Sequence, residues 1–144
     1  RARINEADGF AGLKGLLPPP SKRGLVLIDP PYEDKNDYRN VISALKDSQR
    51  RFPNGVYALW YPLIPREESK DLGRRLKALS PNNYLHAQLC VQAEQGSHGM
   101  YGSAMFVINP PWQLNAQLQE VMPVLQTLLA NDESKPFVLD AVIA

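Results

Sequence analysis

The stretch GLVLIDPPYEDKNDY, residues 24–38, carries an unbroken apolar run into an acid, two prolines and a tyrosine. Residues 25–28 show no polar alternation, which predicts an interior strand of a parallel sheet, covered on both faces. Pro30 and Pro31 stop it, because proline fixes φ and lacks an N–H donor. Tyr38, Val41, Ile42, Leu45 and Phe52 then share one helical face, predicting a helix over 37–52 with Asp37 as N-cap. Strand, corner and crossover helix in this order make an α/β unit.

The flanking sequence repeats the alternation. Residues 2–6 read as the end of a strand, and 9–17 as a short helix closed by Pro18, Pro19 and Pro20. Residues 56–61 form the next strand. Pro65, with Glu67 and Glu68, opens a helix that buries Leu72, Leu76 and Leu79. Two further strands, 84–91 and 101–108, are joined by 92–100, too short for a parallel crossover, so they pair antiparallel. Leu114, Leu118, Val121, Leu125 and Leu128 define a last helical face, with Pro123 kinking it or starting a second helix, and 137–143 reads as an edge strand. The expected architecture is a three-layer α/β/α sheet, mostly parallel, with one antiparallel strand near the C-terminus. The chain opens on Arg1 inside an apparent strand, from which we expect an N-terminal portion of the same single domain to precede residues 1–144.

At 144 residues and 44% hydrophobic, the chain has the length and apolar content of one domain. Its apolar runs fall far short of the ~20 residues of a membrane helix, and no leader-like segment opens it. Cys90, the single cysteine, has no partner for an intrachain disulfide, so a reducing, cytoplasmic setting is expected; its thiol reads as a buried core group. The net charge of +1 recruits no acidic polymer by itself. Basic clusters at Lys22-Arg23, Arg50-Arg51 and Arg74-Arg75 with Lys77 suit phosphates, or equally solvated helix ends and loops.

A near copy of the corner, AMFVINPPW, occupies residues 104–112. In an open parallel sheet, ligands gather beyond the carboxyl ends of the strands. Asp29 lies at such an end. Asn109 closes the strand read as antiparallel, so it faces the opposite rim and is set aside. Asp-Pro-Pro-Tyr offers an acceptor-rich rim: the Asp29 carboxylate and the Pro30 carbonyl converge, without a competing amide, on a site that suits an NH2 group. Tyr32 is expected to give a planar base a stacking face, worth roughly 1 to 3 kcal/mol in nucleic-acid binders. Two hydrogen bonds drawn to an aniline-like amine localise its lone pair, and Asp29 disperses the charge that appears when the nitrogen attacks. The structural alternative is that Asp29 caps a turn, the prolines end a strand and Tyr32 packs at the sheet edge.

These residues resemble the signature of adenine-N6 methyltransferases, Asp/Asn-Pro-Pro followed by an aromatic at the end of the fourth strand of a Rossmann-like sheet. The runs RINEADGFAGLKGLLPPPSKRGLVLIDPPYEDKNDY, GVYALWYPL and FVINPPWQL are similar throughout to the RlmJ family of 23S ribosomal RNA adenine-N6 methyltransferases, also described as ComJ-type proteins linked to the use of external DNA. The resemblance implies a class I fold dependent on S-adenosylmethionine, with Asp29 catalytic and Pro30, Pro31 and Tyr32 on the substrate. It also implies that Asp8 and Gly9 hold the cofactor's adenine; read alone, the pair is a turn or helix cap. The glycine-rich first-strand loop and second-strand acid of such enzymes do not occur here, so the chain resembles the C-terminal half, and these residues alone are expected to be inactive. The implied partner is 23S rRNA, protein-free or early precursor, met by a monomer without a membrane.

Other readings remain open on residues alone. DNA adenine or a protein glutamine amide also presents a planar NH2, and a non-catalytic RNA-binding module would use the same basic clusters. A metal nuclease finds no support, since His86 and His98 lack carboxylates at ligand spacing.

Overall fold

The computed structural model describes residues 2–96 and 99–144. The elements run α1 (Gly9–Leu16), β1 (Leu25–Ile28), α2 (Lys35–Arg51), β2 (Val56–Leu63), α3 (Glu67–Leu79), β3 (Tyr84–Cys90), β4 (Gly102–Ile108), α4 (Leu114–Leu129) and β5 (Val138–Val142). Residues 2–6 form no strand: they lie exposed with no neighbouring strand to pair with among the described residues. His98 falls outside the described residues.

The sheet order is β1-β2-β4-β3-β5. β1 and β2 pair in parallel, whereas β2·β4, β3·β4 and β3·β5 are all antiparallel. The expectation of a mostly parallel sheet with one reversed strand is therefore corrected. β1, β2 and β3 do run the same way, but β4 inserts between β2 and β3 and β5 adds a second reversed strand. The short 91–101 connection makes β3 and β4 antiparallel neighbours, and because β4 lies between β2 and β3 these two parallel-running strands do not pair.

Side-chain alternation along the strands divides the core into two layers. On one face Tyr57, Leu59, Tyr61, Phe106 and Ile108 pack with Tyr38, Val41 and Leu45 of α2 and Leu72 and Leu76 of α3. On the other, Ala58, Leu85, Ala87 and Val107 meet Met122, with Leu114, Leu118 and Leu125 of α4 partly buried against them. Val121 and Leu128 of the same apolar set stay 45% and 73% exposed, because α4 reaches only part of this face. Pro123 sits inside one continuous helix rather than dividing it. An apolar cleft of about 480 Å³ opens beside Leu25, Val56, Ala58 and Met105. β1 is consequently not covered on both faces: it has one strand neighbour, and Leu25 and Leu27 are 65% and 64% exposed.

Side-chain caps open α1 and α2, whereas α3 and α4 start without one. Asp34, not Asp37, caps α2, its carboxylate accepting from the backbone N–H of Asn36 at 2.8 Å. Asp37 thereby lies in the first turn of α2. α3 begins at Glu67, after the Pro65 corner, and places Glu67 and Glu68 in its first turn. Gly73 lets α3 approach the sheet: an added Cβ would lie 2.9 Å from the His86 ring and 3.1 Å from the Tyr61 hydroxyl.

Candidate amine-binding corner and cofactor cavity

The chain leaves β1 at Ile28, which is buried, and Asp29 emerges exposed at the carboxyl end. Pro30 and Pro31 supply stiffness but no N–H donors. Tyr32 then adopts φ +56°, the left-handed region that costs a bulky L-residue roughly 1–2 kcal/mol. Contacts with β2, with Tyr38 of α2 and with Arg66, the residue before α3, hold it there. The Tyr32 hydroxyl donates to the Trp60 carbonyl at 2.8 Å, and its carbonyl accepts from Arg66 Nη1 at 3.3 Å. Its ring lies 4.8 Å from that of Tyr38 and 6.2 Å from that of Trp60.

Tyr32 thereby departs from the sequence expectation of an open stacking face. Only 3% of it is exposed, and its ring belongs to the core between Tyr38 and Trp60. The cause is the left-handed turn, which sends the side chain back over the sheet instead of outward. Burial raises the pKa of the Tyr32 hydroxyl far above the usual tyrosine range, with the charge of Asp29 adding to the shift, so it stays protonated as a donor.

Asp8, Gly9, Asp29, Pro30 and Pro31 converge on one cavity of about 330 Å³, completed by Phe10, Leu13, Leu27, Ile28 and Asp37. Residues some twenty positions apart in sequence meet here because α1 packs on α2, the helix that follows the corner. Asp8 N-caps α1, one carboxylate oxygen accepting from the Phe10 N–H at 2.8 Å, so the capping reading is correct as geometry. Its second oxygen and the open space beside Gly9 remain for a ligand. The lining holds three carboxylates and neither lysine nor arginine, which suits amino-bearing or cationic groups and opposes phosphate. Sequence reasoning missed two residues of this region. Asp37, expected as a helix cap, instead lines the cavity; Arg66 carries no sequence signal beyond its place after β2, and only the fold brings it to Tyr32.

The second Pro-Pro corner is structural. Ile108 pairs with Tyr57, near the start of β2, whereas Ile28 pairs with Leu59, so Asn109 and Asp29 leave the sheet on opposite rims. The Asn109 amide donates to the carbonyls of Pro53 at 2.7 Å and Gly55 at 2.8 Å and accepts from Asn83 at 3.3 Å. Its φ of +54° and bonded amide hold the loop and leave little for a ligand.

Other chemistry-bearing side chains are accounted for by packing. His86 is 3% exposed, its Nε2 meeting the Tyr61 hydroxyl at 2.7 Å while Nδ1 has no partner among the described residues. Burial lowers its pKa from 6.5 to about 4, which keeps the ring neutral. Cys90 is buried, and burial pushes its thiol up, in line with an unreactive core group. Among the described residues no His, Cys, Asp and Glu cluster can hold a metal ion, and no helix is long and apolar enough to cross a membrane.

Known proteins resemble this chain over most of its length. The RsmJ family, described as ribosomal RNA large subunit methyltransferase D, RlmJ, matches residues 1–138. Ribosomal RNA large subunit methyltransferase J of Escherichia coli K12 is 46% identical over 129 residues, covering 90% of this chain and 46% of that protein. The Haemophilus influenzae protein of the same name is 43% identical over 125 residues, covering 87% and 44%. The crystal structure of protein LPL1258 from Legionella pneumophila superposes with a TM-score of 0.84 at 29% identity, covering 94% of this chain and 50% of that one. The chain spans about half the length of the curated relatives it matches. On the extent of that match and on the shared fold, the chain belongs to the RsmJ/RlmJ family of ribosomal RNA large subunit methyltransferases.

Proposed function

We propose that these residues form the amine-binding part of an enzyme that methylates adenine N6 in 23S ribosomal RNA with S-adenosylmethionine, in the cytoplasm and as a monomer. One observation carries the reading: the Asp29-Pro30-Pro31 corner opens on the same cavity as Asp8 and Gly9. A site for a base amine and a site for a nucleoside cofactor are thus contiguous. Because the chain covers under half of its curated relatives' length, the activity is proposed for the polypeptide that contains these residues.

The lining fits the cofactor in chemistry. Asp8 would accept from the amino group of its adenine, Gly9 would let the ring approach the backbone, and Phe10 and Leu13 would supply apolar walls. The absence of lysine and arginine from the lining suits a positively charged ligand. When bound, the cofactor supplies an electrophilic methyl group.

The chain's own residues prepare the acceptor. The Asp29 carboxylate and the Pro30 carbonyl each accept one hydrogen of the target amine, which fixes its orientation and favours a localised lone pair. As positive charge develops on nitrogen, the Asp29 carboxylate stabilises it and is placed to take the proton. Pro31 keeps the corner stiff, and Tyr32 ties it to β2. Rate enhancement comes mainly from this positioning. Protein-free or precursor rRNA suits the corner, since the target base must be unpaired to reach it.

The test is methyl transfer from labelled cofactor to protein-free 23S rRNA, assembled subunits and duplex DNA, with wild type and Asp29→Ala side by side. Incorporation at adenine N6 of protein-free rRNA that vanishes in Asp29→Ala supports the reading. RNA binding without incorporation, or incorporation only into DNA, overturns it.

A further inference from the structure

Arg66 stands at the junction of β2 and α3, and its backbone is held firmly. Its carbonyl accepts from the N–H groups of Ser69 and Lys70, both at 3.1 Å. The Ser69 hydroxyl, itself buried, donates to the Pro62 carbonyl at 2.7 Å and so ties the first turn of α3 to the end of β2. From this base the half-buried side chain of Arg66 reaches the Tyr32 carbonyl at 3.3 Å. Arg66 enters no ion pair among the described residues, although its charge is felt by the Glu68 carboxylate in the first turn of α3.

The bonded carbonyl belongs to the residue with φ +56°, where the chain reverses after the two prolines. A corner whose prolines lack N–H groups depends on anchors from elsewhere. Two are visible: the Tyr32 hydroxyl on Trp60, which holds the side chain, and Arg66, which holds the peptide plane that follows. If that plane turned, the corner would be free to relax, carrying the Pro30 carbonyl and Asp29 with it. The Tyr32 ring packs against that of the fully buried Tyr38, 4.8 Å away.

We infer that Arg66 is a positioning residue for the methyl-acceptor corner, setting the direction of the Pro30 carbonyl and the Asp29 carboxylate by clamping the Tyr32 carbonyl. This rests on the methyltransferase reading above. Misplacing the acceptors by about 1 Å costs on the order of 100-fold in turnover.

The experiment uses the native polypeptide that contains these residues, and the Trp60 signal is taken as the difference in emission between each protein and the same protein carrying Trp60→Phe. Arg66→Ala, Arg66→Gln and Arg66→Lys are compared for kcat, KM for 23S rRNA, cofactor affinity by calorimetry, Trp60 emission and urea midpoint. The expected result is a kcat about 100-fold lower in Arg66→Ala, with cofactor affinity held within about twofold, a shifted Trp60 emission, and partial recovery of kcat in Arg66→Lys. A wild-type kcat in Arg66→Ala or Arg66→Gln overturns the inference. So does a loss that only tracks the folded fraction measured by urea titration in all three variants. Asp29→Ala in the same assay separates the two ideas. If it stays active, the methyltransferase reading of the corner fails; if it is inactive while Arg66→Ala turns over normally, only the role of Arg66 fails.

Discussion

The Tyr32 hydroxyl donates to the carbonyl of Trp60 one residue beyond the last rung, Ile28 to Leu59, at which β1 pairs with β2. β1 has ended there, so the bond occupies a ladder position the strand no longer fills. It converts a strained aromatic residue into a staple between the corner and the sheet. Tyr32→Phe keeps the packing but leaves the Trp60 carbonyl without this donor. We expect a loss of about 1 kcal/mol in urea unfolding, together with a lower kcat at nearly unchanged cofactor affinity. An unchanged urea midpoint would mean that the bond contributes nothing to holding the corner.

Asp29 is exposed at the end of β1 and borders the cavity. Asp29→Ala should therefore leave stability within about 0.5 kcal/mol of wild type while reducing methyl transfer by at least about 100-fold. Parallel unfolding curves and single-turnover rates check both halves of this expectation. A large change in unfolding free energy would point to a structural carboxylate instead.

Asn109 presents the mirror case. Its amide satisfies the Pro53 and Gly55 carbonyls on the rim opposite Asp29. Asn109→Ala removes these donors and places a residue poorly suited to φ +54°. A destabilisation of about 1–3 kcal/mol is expected by chemical denaturation, with kcat per folded molecule unchanged. Loss of kcat without loss of stability would give the second corner a role in the reaction.

His86 supplies a pH dependence. Its pKa falls from 6.5 to about 4 on folding, because the ring is buried, and the nearby Lys77 charge acts in the same direction while Asp140 opposes it. A depressed histidine pKa means that the unfolded chain binds the extra proton first. The stability this group contributes is complete above about pH 6.5 and is lost as pH falls from there towards about 4. Urea midpoints across that window should drop more steeply in wild type than in His86→Gln, which keeps an acceptor for the Tyr61 hydroxyl. Equal slopes would show that His86 does not carry the effect.

The apolar run 25–28, the Pro-Pro stop and the helical face of Tyr38, Val41 and Leu45 were legible from residue types alone, because burial periodicity and missing N–H donors are local properties. The antiparallel β3–β4 pair followed from connection length, and with it the dismissal of Asn109. Chain order also placed Asp29 correctly at a carboxyl strand end. What local pattern does not contain is adjacency. That β4 lies between β2 and β3 reverses the balance of the sheet, and that β1 has a single strand neighbour exposes Leu25 and Leu27. The cap of α2 moved from Asp37 to Asp34 because capping depends on which carboxylate reaches a free N–H, and the helical stripe cannot distinguish the two.

The sequence by itself determined the chemistry on offer: a donor-free corner with a carboxylate, a second carboxylate next to a glycine, and enough apolar side chains for a core. Only the tertiary structure decided that Asp8 and Asp29 share one cavity, that the Tyr32 ring turns inward, and that Arg66 clamps its carbonyl. The physical reason is that residue type specifies which hydrogen bonds and contacts a side chain can make. Which partner satisfies them depends on how distant segments pack, and a left-handed turn at one residue was enough to exchange a stacking platform for a core staple.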